Sequence, residues 1–103
     1  MEFRLKRYRI SEANIQAECY HKLKLLGIRT YLEYGCENCR FDMVVLNGSK
    51  IIAIVEFKNG RAGKPINQNT RQYKKYHSFG LPVIYCKSVT EIEETIKKIQ
   101  ALF

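Results

Sequence analysis

The chain has 103 residues, 46% of them hydrophobic, and its 18 lysines and arginines against 10 acids leave a formal net charge of +8. That length suits a single domain, residues 1–103, with a modest core, and no apolar run approaches the roughly 18 residues needed to cross a bilayer. Met1 to Arg9 is basic but has neither the apolar stretch nor the small-residue cleavage site of a secretory signal, so the expected setting is the cytoplasm.

The elements follow in chain order. Ser11 can cap a first helix, in which Ile15, Cys19, Leu23 and Leu26 recur at helical spacing until Gly27. Ile28 to Tyr34 reads as a strand and Gly35 to Asn38 as a turn; Arg40 to Leu46 is a second strand. Asn47 followed by Gly48 is the strongest hairpin signal in the chain. Lys50 to Phe57 is a third strand, apolar nearly throughout, which predicts a central position buried on both faces. A loop with Gly60, Gly63 and Pro65 leads to a helix from about Ile66 to Phe79, closed by Gly80. Leu81 to Cys86 is a fourth strand, and Ser88 with Glu91 forms a capping box for a last helix ending near Leu102. The expected fold is α/β: helix, three-strand meander, helix, strand, helix, around a mixed four-stranded sheet.

Charge is unevenly spread. Lys58, Arg61, Lys64, Arg71, Lys74, Lys75 and Lys87 fall in a stretch from Phe57 to Thr90 that contains no acid, and Arg4, Lys6, Arg7 and Arg9 open the chain. Glu33, Glu37, Asp42 and Glu56 make the middle acidic. Basic flanks around an acidic centre suit a phosphate-binding surface around a metal site; the plain alternative is a solubilising surface. Of the four cysteines, Cys36 and Cys39 have metal-ligand spacing but lack a second pair, so a zinc knuckle is the lesser reading. Cys19 and Cys86 fall on apolar faces and read as free core thiols.

Chemistry concentrates in Asp42, Glu56 and Lys58. Glu56 and Lys58 are separated by one residue, so on a strand they leave the same face. Pairing across Asn47 and Gly48 places Asp42 roughly opposite Ala53, and a slight splay or bulge lets its carboxylate share a cation with Glu56. Charges at the end of an apolar central strand are costly unless something compensates them. Mg²⁺ takes oxygen ligands and keeps several waters, so two carboxylates suffice to bind it, with Mn²⁺ as a substitute. Such an ion polarises a phosphodiester and lowers the pKa of water, while Lys58 orients or deprotonates that water and neutralises charge on the phosphoryl oxygens.

Arg40, Phe41 and Asp42, then thirteen intervening residues, then Glu56, Phe57, Lys58 and Asn59 resemble motifs II and III of the PD-(D/E)XK nuclease superfamily. The chain is similar to the small stand-alone virus-type replication-repair (VRR-NUC) nucleases and, more distantly, to archaeal Holliday-junction resolvases, from about Ser11 to Cys86. The resemblance implies a restriction-endonuclease-like core and divalent-metal hydrolysis of DNA, with the main-chain carbonyl of Phe57 as a further metal ligand. The usual proline before the aspartate is Phe41 here.

The resemblance also implies an acid on the first helix. At about 100° per residue, Glu12 and Gln16 fall in the arc of the apolar stripe while Glu18 points to solvent, which favours Glu12 with Gln16 as its neighbour. A glutamine on the helix after Lys58 is a further feature of the family. Gln68 fits by spacing and Gln72 by its nearness to the apolar side, and both stay open. Arg71, Lys74 and Lys75 on the opposite side suit backbone phosphates, as do Arg40, Arg61 and Lys64. Tyr73, Tyr76 and Phe79 read as core and His77 as structural.

The combined expectation is a Mg²⁺-dependent DNA endonuclease, structure-selective because no separate specificity domain is present. A minimal core and the need to cut two strands favour a homodimer. The rivals are a nuclease fold retained only for binding DNA or protein, a nuclease acting on RNA or single strands, and a Cys36/Cys39 zinc or redox protein.

Overall fold

The computed structural model describes residues 12–36, 39–58, 74–75 and 77–103. Helix α1, Glu12–Leu25, buries Ile15, Cys19 and Leu23. Gly27 at φ 77° turns the chain out of it. The Ile28 N–H donates to the Leu23 carbonyl and the Gly27 N–H to the Lys24 carbonyl, each at 3.0 Å, the paired bonds of a Schellman closure. Leu26 therefore falls beyond the last helical residue and is half exposed, not part of the buried stripe the spacing predicts. Ser11, the expected cap, lies outside the described residues.

Strands β1 (Thr30–Cys36), β2 (Cys39–Asn47), β3 (Lys50–Phe57) and β4 (Val83–Cys86) form one sheet in that order. The first three are an antiparallel meander and β4 runs parallel to β3, so the sheet is mixed. β1 starts and ends two residues later than Ile28 to Tyr34 predicts, because the Schellman closure occupies Ile28.

The β2–β3 hairpin differs from the expected one in a way that decides the site. Asn47 pairs with Lys50, so the two turn residues are Gly48 and Ser49. Only Gly48, at φ 64°, takes the positive φ, as in a turn with glycine at its first central position. The register then slips once more: Val45 faces Ala53 but Leu46 faces Ile51, leaving Ile52 as a bulge. Asp42 thus moves away from Ala53; Met43 faces Val55, and the same register brings Asp42 beside Glu56. The bulge also sorts the faces. Ile52, Ala53, Val55 and Phe57 pack in one core cluster, and Ile51 and Ile54 in another.

That first cluster holds α1 and the second described α-helix, α2 (Ile92–Gln100), against one sheet face through Ile15, Cys19, Leu23, Ile92, Ile96 and Ile99. Full burial of each such aliphatic side chain contributes about 1.5–3 kcal/mol. Lys22 of α1 donates to Glu93 of α2 at 2.6 Å, which lowers the Glu93 pKa and raises that of Lys22. The expected capping box of Ser88 and Glu91 does not form. A 3-10 turn, Val89–Glu91, precedes α2, the Ser88 side chain makes no cap bond, and the Glu91 carboxylate accepts from the Lys87 N–H at 2.9 Å.

The opposite face carries Phe41, Val44 and Ile54 with Tyr34, Ile51, Phe79, Leu81 and Val83. Most of the helix expected from Ile66 to Phe79 lies outside the described residues. Its end is helical at Lys74, Lys75 and His77, and Gly80 at φ 73° closes it as predicted. Phe79 meets Phe41 edge to face, 5.3 Å between ring centres, a core role as the sequence suggests. Among the described residues no helix is long and apolar enough to cross a membrane.

Candidate active site

At Asp42 and Glu56 the two strands exchange side chain for backbone. The Asp42 N–H donates to Glu56 Oε2 at 2.9 Å, and the Phe57 N–H donates to Asp42 Oδ2 at 2.9 Å. Each carboxylate thus accepts a main-chain N–H next to the other. The last backbone pair of the ladder is Met43 with Val55. Beyond it the reciprocal bonds hold the strands together.

Burial makes this pair chemically informative. Glu56 is 1% exposed, the only buried acid among the described residues, and sits at the end of the strand run Ala53 to Phe57, all of it buried. An ionised carboxylate there is costly unless hydrogen bonds or a cation compensate it. Asp42 is half-buried at the margin of the same core. A carboxylate offers two oxygens and roughly four lone pairs, so accepting a hydrogen bond from a backbone N–H does not by itself exclude a divalent ion.

Gln16 of α1 reaches the pair: its Nε2 donates to the Asp42 carbonyl at 3.4 Å. Glu12 is exposed in the first turn, not turned into the buried stripe as helical phase predicts, and among the described residues no three His, Cys, Asp or Glu side chains come together as a metal cluster. Glu18 is exposed and lies 3.9 Å from Lys22, on the solvent side as helical phase predicts. Lys58 follows directly on β3. Its N–H donates to the Cys86 carbonyl at 3.0 Å, fixing its backbone to β4, and its side chain is half-buried.

Of the basic candidates, Lys74 and Lys75 are exposed, and the Lys75 ammonium lies over the Phe79 ring at 5.5 Å. Arg40 is exposed and pairs with Glu33 at 3.3 Å. Gln68, Gln72, Arg61, Lys64 and Arg71 lie outside the described residues. Cys19 and Cys86 are buried free thiols, and burial above all pushes the Cys19 thiol up to about 12. Cys36 and Cys39 are backbone partners at the end of β1 and the start of β2.

The residue paired with Glu56 on β4 is one that the sequence alone does not connect with it. Tyr85 of β4 is its parallel partner, and the His77 ring stacks against Tyr85 at 6.2 Å. The signal was the parallel register, which only the three-dimensional pairing of β3 with β4 supplies.

Comparison of the chain with protein families, with curated proteins and with solved structures finds no match in any of the three.

Proposed function

We propose that this chain is a divalent-metal-dependent nuclease of the PD-(D/E)XK kind, hydrolysing phosphodiester bonds of DNA. One observation carries the reading: a buried glutamate and an aspartate from adjacent strands clasp each other's backbone, with a lysine two residues beyond the glutamate. The mixed sheet with its antiparallel meander and parallel fourth strand is the arrangement such a core requires.

In this reading Asp42 and Glu56 hold Mg²⁺ or Mn²⁺, with the Phe57 carbonyl as a further oxygen. The ion supplies Lewis acidity toward a phosphodiester oxygen. Glu56 is kept in place by the Asp42 N–H, so its carboxylate needs little reorganisation to act as a ligand. Gln16 steadies Asp42 through its carbonyl. Lys58 places positive charge where the phosphoryl oxygens become more negative and orients the attacking water. Lys74 and Lys75 engage flanking phosphates. Two copies acting together would cut both strands.

The test is incubation with branched, single-stranded and duplex DNA in Mg²⁺, Mn²⁺ or EDTA. Cleavage of branched DNA that EDTA abolishes is the expected result. Stable binding with no turnover in any metal would leave a binding module instead.

A further inference from the structure

Tyr31 and Tyr34 of β1 stand three residues apart, which on a regular strand would send them to opposite faces. Their rings instead stack on each other, 6.4 Å between centres and 7° from parallel. The cause lies between them: Glu33 is at φ 53°, the only non-glycine among the described residues in the left-handed region, and it breaks the alternation. Such strain persists only where the surrounding structure enforces it, and it tends to mark functional positions. Here its consequence is a stacked aromatic pair whose outer ring, Tyr31, is half exposed.

The stack also faces the right way. Tyr31 is paired with Val44, and Tyr34 packs with Phe41, Val44 and Ile54. Alternation along β3 puts Glu56 on the Ile54 face, so the stack and the buried glutamate share one side of the sheet. By strand geometry Tyr31 lies ~7 Å along β2 and ~5 Å across from Asp42, within reach of a neighbouring nucleotide. Lys75 borders this face, its ammonium over the Phe79 ring, and Arg40 pairs with Glu33, the residue between Leu32 and Tyr34.

We propose that the Tyr31–Tyr34 stack is a platform for an unpaired base, so that the substrate is DNA presenting a single-stranded segment to Asp42 and Glu56. This deepens the nuclease reading and rests on it for the choice of DNA. A base has a flat face that an exposed, pre-stacked ring can match, and stacking of this kind is indifferent to sequence. The Arg40–Glu33 pair is exposed, so it contributes little and is readily exchanged for a phosphate. A second copy adding a strand to this edge is disfavoured, because the break at Glu33 interrupts the row of groups it would pair with.

Binding of fluorescent oligo(dT), oligo(rU) and a closed duplex hairpin, measured by anisotropy in EDTA, tests this without requiring cleavage. Y31A should weaken oligo(dT) binding roughly tenfold and leave the duplex within about twofold, while Y31F retains both. A thermal melt matching the parent checks that Y31A is folded. Unchanged oligo(dT) binding in Y31A overturns the platform, as does an equal loss on duplex or a shift from dimer to monomer that accounts for the loss. Tighter binding to oligo(rU), equally lost in Y31A, overturns the assignment to DNA. Failure of the nuclease reading appears separately, as absent metal-dependent cleavage by a protein whose Tyr31-dependent binding is intact.

Discussion

Glu56 and Lys58 leave one strand end but have different surroundings. Glu56 is enclosed and accepts the Asp42 N–H, whereas Lys58 is half-buried just past the strand end, where its backbone N–H donates to the Cys86 carbonyl. K58A should therefore lose cleavage while keeping Mg²⁺ affinity, read by calorimetry. Affinity collapsing together with activity would make Lys58 a support for the carboxylates, not a group acting on phosphate or water. Asp42 carries two jobs, ligand and hydrogen-bond acceptor, and D42N keeps an oxygen for the Phe57 N–H while removing the charge. This residue pair was legible in sequence by type and spacing, but its alignment was not. Hairpin arithmetic with Asn47 as a turn residue puts Asp42 opposite Ala53, and the bulge at Ile52 has no signature in a run of consecutive apolar residues.

Among the elements, α1 connects the core to the site. Its buried stripe Ile15, Cys19, Leu23 sets the rotation that brings Gln16 to Asp42. Q16A should slow cleavage about tenfold through one lost hydrogen bond in the site, while Glu18→Gln leaves it within error. Equal losses in both would mean that the helix surface, not its inward phase, matters. E12Q belongs in the same series: a substantial loss there would assign the first-turn acid a role that the helix dipole alone does not require. Cys19 on the same stripe offers an independent test of packing. Its thiol ionises near 9.0 in an open chain but is pushed up to about 12 here by burial. Between those values the unfolded state gives up a proton that the native state keeps, so stability falls as pH rises through that window. The melting temperature should decline more steeply with pH for the parent than for C19A, and neither Cys19 nor Cys86 should react with a thiol reagent until the protein unfolds. Immediate modification at neutral pH would contradict their burial. Helical phase made α1 readable almost to its end. Leu26 leaves the buried stripe because the Schellman closure takes over there, which spacing alone does not show.

Among the described residues, one sheet face packs against α1 and α2, and the other carries Phe41, Tyr34 and Phe79, with the Lys75 ammonium over the Phe79 ring. The net charge of +8 predicts binding that weakens steeply with salt, since each phosphate neutralised on duplex DNA contributes a log–log slope near about −0.9. Replacing Lys74 and Lys75 with alanine should flatten that slope by roughly two units and weaken all sequences alike. An unchanged slope would mark that surface as merely solvated. The chain order of helices and strands, the meander and the mixed sheet were largely readable from apolar runs and turn residues. The faces were not, because bulge, left-handed Glu33 and parallel partner strand are all set by tertiary pairing. Tyr31, Tyr34 and Tyr85 accordingly read as ordinary strand residues until the sheet was assembled. The most direct measurement is cleavage of a branched DNA in Mg²⁺ by the parent and by E56Q, with thermal melts of both. The account predicts metal-dependent cutting by the parent and turnover reduced at least about a thousandfold in a fully folded E56Q, as losing a required metal ligand demands. Turnover by E56Q within about tenfold of the parent would contradict it.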